Sequence, residues 1–175
     1  MITRKVISTV LIVAGIIFSS SASADNQKNY VDIGYGWAAY EEAGWRFVPH
    51  ILKVSAGTKI ADNLAIEGMG ALGIIDSSVG GLTLSVDSAY GLYAKPFVDV
   101  NDKFELYGRF GVARISGTVS GSGGSIYGYD SSMSYGGGGA FKISQNSSIF
   151  LDYTVYYNKN GVFVYGATSG VRFGF

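Results

Sequence analysis

The chain has 175 residues and 13 basic against 13 acidic side chains, so its formal net charge is +0 at pH 7. Balanced charge gives no support for a nucleic-acid partner, because binding to a phosphate backbone needs an excess of Lys and Arg. The lack of cysteine excludes disulfides, thiolate metal sites and a catalytic thiol. The 26 glycines disfavour long helices, while a 47% hydrophobic composition argues against disorder.

The start of the chain has the pattern of a secretory signal peptide. Two basic residues precede an apolar stretch over 6–18, and small residues follow it. The apolar stretch is too short for a transmembrane helix, which needs about 20 residues. We therefore expect cleavage after Ala24, with Ala22 and Ala24 as the recognition motif. This divides the chain into a signal peptide over 1–24 and one mature domain over 25–175.

The mature sequence alternates between apolar and polar residues in eight segments, which is the pattern of β-strands. Segments of about ten residues suit strands that cross a bilayer at a tilt. The segments cover 30–38, 51–59, 64–72, 82–96, 104–113, 133–143, 148–157 and 163–175. This arrangement predicts an all-β fold, an eight-stranded antiparallel up-and-down transmembrane β-barrel.

The connections between the segments alternate in length. Short polar turns are expected at 60–63, 98–103 and 144–147, and longer loops at 39–50, 73–81 and 114–132. The last loop, 158–161, is short where a longer one is expected. Outer-membrane barrels have short periplasmic turns and longer external loops, so both mature termini are predicted to lie in the periplasm. The Gly/Ser-rich stretch 116–130 is interpreted as a solvated loop; a binding loop is the alternative.

Charged residues share one face of the predicted strands, and the central parts of the opposite face carry none. The five acids and five bases are Asp32, Lys53, Glu67, Asp87, Lys95, Glu105, Arg109, Lys142, Asp152 and Arg172. In lipid this face must point inward, where eight strands enclose a lumen that side chains fill. We therefore predict an ion-pair network that plugs the barrel, with Gly136 and Gly138 making room for neighbouring side chains.

Aromatic residues near the strand ends suit the two girdles of a membrane barrel. The predicted outer girdle comprises Trp37, Tyr157, Phe163 and Tyr165, and the inner one Phe104, Phe173 and Phe175. A soluble β-sandwich or a lipocalin-like barrel remains the alternative, because alternation by itself does not distinguish these folds.

Three stretches resemble a known family: "LKVSAGTKIADNLAIEGMGALG" (52–73), "FELYGRFGVA" (104–113) and the ending "SGVRFGF". They are similar to the small eight-stranded outer-membrane barrels that include the OmpA membrane domain, OmpX and the Opa-like porin-family proteins. The resemblance implies the fold more than any activity. It also implies that Val171, Phe173 and Phe175 form the terminal signal that the barrel assembly machinery recognises.

The sequence offers little enzymatic chemistry. A lipid A-modifying enzyme needs a His base beside a Ser and an acid. The lone His50 is expected at the outer end of the second strand, with Asp76, Ser77 and Ser78 of the second loop as its candidate neighbours. This is a weak signal in a Ser-rich chain, and the His-x-Ser motif of the deacylases is absent. We predict no enzymatic activity, no cofactor and no metal site, since one His and scattered acids do not supply metal ligands.

The expected function is a structural or surface-interaction role in a Gram-negative outer membrane: envelope integrity, adhesion or host contact. The alternative is a narrow channel for ions or small solutes, and a lipid A-modifying enzyme is the third hypothesis. The expected partners are outer-membrane lipid and lipopolysaccharide, the barrel assembly machinery, and a host or surface ligand at the outer loops. We expect a monomer.

Overall fold

The computed structural model describes residues 28–175, so the predicted signal peptide over 1–24, with Ala22 and Ala24, lies outside the described residues. The strands are β1 (Asn29–Glu42), β2 (Trp45–Phe47), β3 (His50–Ala61), β4 (Leu64–Ile75), β5 (Ser77–Val79), β6 (Leu82–Asn101), β7 (Phe104–Gly121), β8 (Gly124–Lys142), β9 (Ser147–Lys159) and β10 (Val162–Gly174). From Lys28 to Phe175, no helix has the length and apolar character that a membrane span requires.

Eight long strands close into an antiparallel barrel. The order β1-β3-β4-β6-β7-β8-β9-β10 follows the chain, and β10 pairs back with β1. The closing ladder runs from Tyr30–Gly174 to Glu41–Phe163. Closure pairs the backbone groups of the first and last strands, which a strand wall in lipid requires. The predicted all-β, eight-stranded up-and-down barrel is confirmed. The short strands β2 and β5 belong to hairpins that extend from β1 and β6.

The barrel has two different ends. At the terminal end, tight turns join β3 to β4, β6 to β7 and β8 to β9. Two backbone hydrogen bonds hold the last residue, Phe175, at this end. The Asn29 N–H donates to the Phe175 carbonyl at 3.1 Å, and the Phe175 N–H donates to the Asn29 carbonyl at 3.0 Å. At the opposite, hairpin end, the chain turns through the β1–β2, β5–β6, β7–β8 and β9–β10 hairpins. The tight β9–β10 turn uses Asn160 and Gly161, both with positive φ.

The predicted loop over 114–132 is wrong. These residues extend β7 and β8 into a hairpin whose ladder continues to the Gly121–Gly124 pair. The Gly/Ser-rich composition suggested a loop, but the apolar Ile115, Val119 and Ile126 recur at strand spacing within it. The interpretation of 116–130 as a solvated loop is therefore replaced by a β-hairpin.

Two irregularities in the ladders change which way side chains face. The register of β6 against β7 shifts between Val86 and Ser88, so Leu84 is buried and Asp87 is exposed. The register of β10 against β9 shifts between Val164 and Tyr165, and Tyr157 is only 8% exposed. A bulge inserts one residue and reverses the alternation beyond it. Tyr157 is therefore not part of the outer aromatic girdle that the sequence predicted.

Candidate functional site

Charged side chains occupy the barrel interior near the terminal end. Eight of the ten residues predicted for the lumen are buried, each less than 10% exposed. They are Asp32 on β1, Lys53 on β3, Glu67 on β4, Lys95 on β6, Glu105 and Arg109 on β7, Asp152 on β9 and Arg172 on β10. Four acids meet four bases, so the formal charges cancel. We call these eight residues the charge chain.

The first half of the charge chain links four residues by short contacts. Lys53 Nζ lies 2.6 Å and 2.7 Å from the two carboxylate oxygens of Asp152. Arg109 Nη2 lies 3.1 Å from Asp152 Oδ2 and 3.3 Å from Glu67 Oε1. Each inner member therefore contacts two residues of opposite charge.

The second half continues from Glu67 to the terminal end. Lys95 Nζ lies 2.9 Å from Glu67 Oε2 and 3.9 Å from Asp32 Oδ2. Arg172 donates to both Asp32 oxygens at 2.7 Å and 2.9 Å, and its Nη1 lies 2.6 Å from Glu105 Oε1. The signs alternate without interruption from Lys53 to Glu105, which is the arrangement that compensates buried charges best.

Tyrosine rings cover the cations of the charge chain. Lys95 Nζ lies 4.4 Å from the Tyr30 ring centroid and 4.1 Å from that of Tyr107. The Arg172 guanidinium carbon lies 4.4 Å and 5.3 Å from the same two rings. The Tyr30 hydroxyl also donates to Glu67 Oε2 at 2.8 Å. The ring faces attract the cations and, together with the ion pairs, fill the space around them.

Strand β8 contributes glycines where its neighbours contribute charges. Gly136 pairs with Arg109, and Gly138 pairs with Tyr107. A Cβ atom at Gly138 would lie 2.4 Å from the Leu151 carbonyl oxygen, and one at Gly136 would lie 2.2 Å from that of Tyr153. The wall therefore has no room for a side chain at these positions.

Asp87 and Lys142 were predicted for the network but are exposed. The bulge beside Asp87 displaces it from the inward face, and its carboxylate accepts a hydrogen bond from the Thr118 hydroxyl at 2.8 Å. Lys142 is the last residue of β8 and lies at the rim of the terminal end. Their exclusion corrects the prediction from ten residues to eight.

The interior changes character toward the hairpin end. Buried apolar and aromatic residues replace charges there: Ala38, Ile51, Met69, Ala71, Ala89, Tyr93, Tyr156, Tyr157 and Val164. Beyond them lies a half-open cavity of about 300 Å³ with a mainly apolar wall. Sequence reasoning missed this cavity because part of its wall belongs to the stretch that was interpreted as a loop.

Strands β8 and β9 part on one side of the barrel, between its middle and the hairpin end. The β8–β9 ladder ends at the Tyr135–Val155 pair, while β8 continues toward the hairpin end alongside β7. Asp130 on this extension accepts hydrogen bonds from the Tyr157 hydroxyl at 2.7 Å and from Lys159 Nζ at 3.4 Å. Hydrogen bonds from Tyr157 and from the Ser131 backbone N–H hold the pKa of the Asp130 carboxyl below its ordinary value.

The tip of the β7–β8 hairpin exposes large side chains. Ile126 is 78% exposed, and Tyr127 and Tyr129 are about 60% exposed. The two tyrosine rings lie 6.0 Å apart, and the Arg114 guanidinium carbon lies 4.3 Å from the Tyr129 ring centroid. The tip therefore carries a cluster of exposed apolar and aromatic side chains next to one arginine.

The residues considered for catalysis have other partners. His50 Nδ1 lies 2.6 Å from the Tyr35 hydroxyl. The Ser77 hydroxyl oxygen accepts the Val48 N–H at 2.9 Å, and the Ser78 hydroxyl lies 2.8 Å from that of Thr83. Within residues 28–175 no group of three or more His, Cys, Asp or Glu side chains is placed to hold a metal ion.

The outer surface of the wall is apolar. Its exposed side chains include Ile33, Leu52, Ile66, Leu92, Val112, Leu151 and Phe173. Aromatic rings gather around Tyr165 toward the hairpin end, with Trp37 at 6.0 Å and Phe163 at 4.7 Å between centroids. Val171 and Phe173 lie on β10 within the closing ladder, and Phe175 is held by its backbone.

A closed antiparallel barrel with an apolar outside and a charged inside is a transmembrane β-barrel. The sequence profile described as "Outer membrane protein beta-barrel domain" matches residues 9–175, so the chain belongs to that family. Membership confirms the predicted small eight-stranded outer-membrane barrel and places the protein in the bacterial outer membrane. No curated protein sequence matches the chain.

Several solved structures share this fold. Ail of Yersinia pestis, in complex with the heparin analogue sucrose octasulfate, is 20% identical, with a TM-score of 0.66 over 85% of this chain and 98% of that one. Neisserial surface protein A is 16% identical, with a TM-score of 0.67 over 89% and 100%. The N-terminal barrel domain of Pseudomonas aeruginosa OprF is 15% identical, with a TM-score of 0.64 over 86% and 100%. At these identities the likeness concerns the fold.

Proposed function

We propose that this protein is a closed, non-enzymatic outer-membrane barrel that supports the envelope and contacts partners outside the cell through its hairpin end. The observation that carries the proposal is the charge chain, whose eight members are buried and joined in one uninterrupted sequence of ion pairs. The structural role and the surface role use different parts of the molecule.

The charge chain argues against conduction. A permeating ion would have to separate pairs such as Lys53–Asp152, whose atoms lie 2.6 Å apart and whose side chains are at most 1% exposed. Separating a buried pair leaves uncompensated charges in a medium of low dielectric constant, which is strongly unfavourable. A plugged lumen therefore fits the contacts better than a narrow channel does.

For the surface role, we place the terminal end in the periplasm and the hairpin end outside the cell. The support is the contrast between tight turns at one end and long hairpins at the other, which is the usual asymmetry of such barrels. A protease site inserted at Gly123 should then be cut on intact cells, while one at Asp62 should be cut only after the outer membrane is permeabilised. Cleavage at Asp62 on intact cells would contradict this orientation.

The hairpin end favours a partner that is neutral or basic. Among the described residues near this end we find five acids and three bases: Glu41, Glu42, Asp76, Asp87 and Asp130 against Arg46, Arg114 and Lys159. This excess of acids gives no basis for extending the polyanion seen with Ail to this chain. The exposed tyrosines of the β7–β8 hairpin supply rigid, amphipathic contact area instead.

Assembly is proposed to depend on the apolar end of β10. Val171, Phe173 and Phe175 would be recognised by the barrel assembly machinery before the barrel closes in lipid and lipopolysaccharide. Changing Phe175 to Asp should reduce the amount of heat-modifiable protein in the outer membrane, with Asp62→Asn as a control at an exposed turn. Normal levels of membrane-inserted Phe175→Asp protein would contradict the assembly role.

Conductance in planar bilayers tests the plug. The wild-type protein should show no large, steady conductance, and Arg109→Ala should conduct more because a central member of the charge chain is removed. Arg114→Ala, which changes an exposed arginine on the same strand, should leave the closed state unchanged. Large, steady wild-type conductance would overturn the proposal and establish the channel.

A further inference from the structure

Six of the strands, β1 and β6 to β10, contribute to the wall of the cavity at the hairpin end. Its wall includes Tyr40 of β1, Leu84 and Val86 of β6, Ile115 of β7, Gly128 of β8 and Val164 of β10. The buried aromatic residues Tyr156 and Tyr157 belong to the apolar cluster that lies between this cavity and the charge chain. The cavity therefore faces away from the plugged half of the interior.

The size of the cavity suits a small ligand. Its volume of about 300 Å³ lies at the lower limit of typical ligand pockets. At roughly 30 Å³ for each water-sized group, it holds about ten non-hydrogen atoms. An apolar wall at the water-facing end of a barrel is unfavourable unless something apolar covers it. The wall and volume point to a compact apolar or aromatic body.

The charged residue in the cavity wall indicates which polar group the ligand carries in addition to its apolar body. Asp130 is the one charged residue in the cavity wall among those the structure describes. The Tyr157 hydroxyl donates to Asp130, and the hydroxyl of Tyr40, across the cavity, donates to Glu42. Lys159 is the basic side chain paired with Asp130, at 3.4 Å. The Asp130 side chain is 49% exposed and can accept a second cation beside Lys159, while the nearby Arg114 already lies over the Tyr129 ring. The accessible carboxylate and the free tyrosine faces favour a cationic head at this position over a carboxylate.

We propose that the cavity binds a small amphiphile with an apolar or aromatic body and a positively charged head, with the head beside Asp130. Access is through the side opening, where the β8–β9 ladder ends at the Tyr135–Val155 pair. This proposal goes beyond the surface-contact function, since a small molecule enters the cavity behind the β7–β8 hairpin, where it contacts only the cavity-facing sides of Ile126 and Tyr129.

Two water-soluble probes test the proposal on the full barrel in phosphatidylcholine nanodiscs. Phenylbutylamine and phenylbutyrate have nearly the same body and opposite charges at neutral pH. Their affinities are measured by calorimetric titration and by shifts of the Ile and Val methyl signals. We expect the amine to bind and the carboxylate to bind about two- to fivefold more weakly, which is the effect of one exposed charge contact. Equal affinity, or tighter binding of the carboxylate, would overturn the proposal.

Phenylalanine substitutions on one hairpin locate the site. At Gly128, a Cβ atom would have nothing within 4 Å, so Gly128→Phe fits and fills the cavity. It should weaken binding of the amine by about tenfold or more. Gly123→Phe adds the same side chain at the hairpin turn, outside the cavity wall, and should bind the amine as the wild type does. Equal affinity in the two variants would overturn the proposal.

Asp130→Asn provides a test that does not depend on filling the cavity. It should remove the preference for the amine over the carboxylate while leaving the apolar wall in place. An unchanged preference would assign the selectivity to another group and overturn the role of Asp130. Bilayer conductance is independent of all these outcomes, so failure of the ligand proposal and failure of the plugged-barrel proposal remain distinguishable.

Discussion

The two halves of the barrel interior fill their space by different means. Toward the terminal end, charged side chains and glycines leave a packed lumen, in which each ionic group of the charge chain has a partner. Toward the hairpin end, apolar side chains line the wall and a cavity of about 300 Å³ remains between them. A buried charge without a partner is far more costly than an apolar surface without a neighbour. A polar interior must therefore close on itself, whereas an apolar one can keep room for a ligand.

The largest effect is expected from removing a carboxylate that two cations share. Asp152→Ala leaves Lys53 and Arg109 each short of a close partner, and breaking a buried pair typically costs about 3–5 kcal/mol. The free energy of unfolding, measured by urea titration of the lipid-embedded barrel, should fall by that amount. The matched control is Asp87→Ala, an exposed member of the ten predicted residues, with a change within about 0.5 kcal/mol. Similar losses in both variants would contradict the distinction between buried and displaced charges.

The next largest loss of stability is expected from a Gly→Ala substitution in the packed half of β8, compared with the same substitution in its open half. Gly138→Ala places a Cβ atom 2.4 Å from the Leu151 carbonyl oxygen, whereas Gly128→Ala meets nothing within 4 Å. The first change should lower the free energy of unfolding by about 1–3 kcal/mol, as overpacking usually does. The second should stay within about 0.5 kcal/mol. If Gly128→Ala were the more damaging variant, the packed and open halves would be assigned the wrong way round.

A smaller effect is expected at the end of the charge chain. Glu105 contacts Arg172, and Arg172 keeps its two hydrogen bonds to Asp32 when Glu105 becomes Gln. The loss should be about 1.5 kcal/mol, the lower end of the range for a hydrogen bond to a charged group, because the Gln amide oxygen can still accept from Arg172. Urea titration alongside Asp152→Ala provides the comparison. A loss as large as that of Asp152→Ala would show that the end of the chain is as tightly coupled as its middle.

The smallest effect on stability is expected at the hairpin tip. Replacing Tyr127 and Tyr129 with Ser removes exposed rings whose contacts are mainly with each other and with Arg114, so the free energy of unfolding should change by less than about 0.5 kcal/mol. Binding of intact cells to a surface that carries the partner should decrease, measured as the fraction of cells retained on that surface relative to cells with the wild-type protein. Replacing both residues with Phe keeps the rings and should preserve retention. Normal retention of the Ser variant would exclude the tyrosines as the contact surface.

Alternation along the sequence predicts most of the interior of the barrel toward its terminal end. Every second residue of a strand faces inward, so residues such as Asp32, Lys53 and Arg172 could be assigned to the interior from their spacing alone. The pairs they form could not, because partner choice depends on the register and shear of the closed sheet. The sequence also indicated glycines on β8 opposite Tyr107 and Arg109, although the close neighbours of these glycines are backbone atoms of β9 and not those two side chains.

Alternation fails where the ladder is irregular. A single inserted residue reverses the two faces, which displaced Asp87 from the interior and brought Tyr157 into it. Composition misled the prediction for 116–130, since Gly and Ser are common in loops, but pairing with a long partner strand overrides that preference. The cavity depends on both features, so it was not predictable from the sequence.

The bidentate contact of Arg172 with Asp32 joins residues 140 positions apart in the chain. Contacts between distant positions form slowly, because the intervening chain must lose entropy before the contact stabilises anything. The first strand therefore pairs fully only after the last strand is made, and a chain interrupted during synthesis or export lacks the Arg172 partner of Asp32 and keeps an open strand edge. Such a fragment would be a ready substrate for periplasmic proteases, so closure of β10 on β1, of which this ion pair is part, distinguishes complete chains from truncated ones.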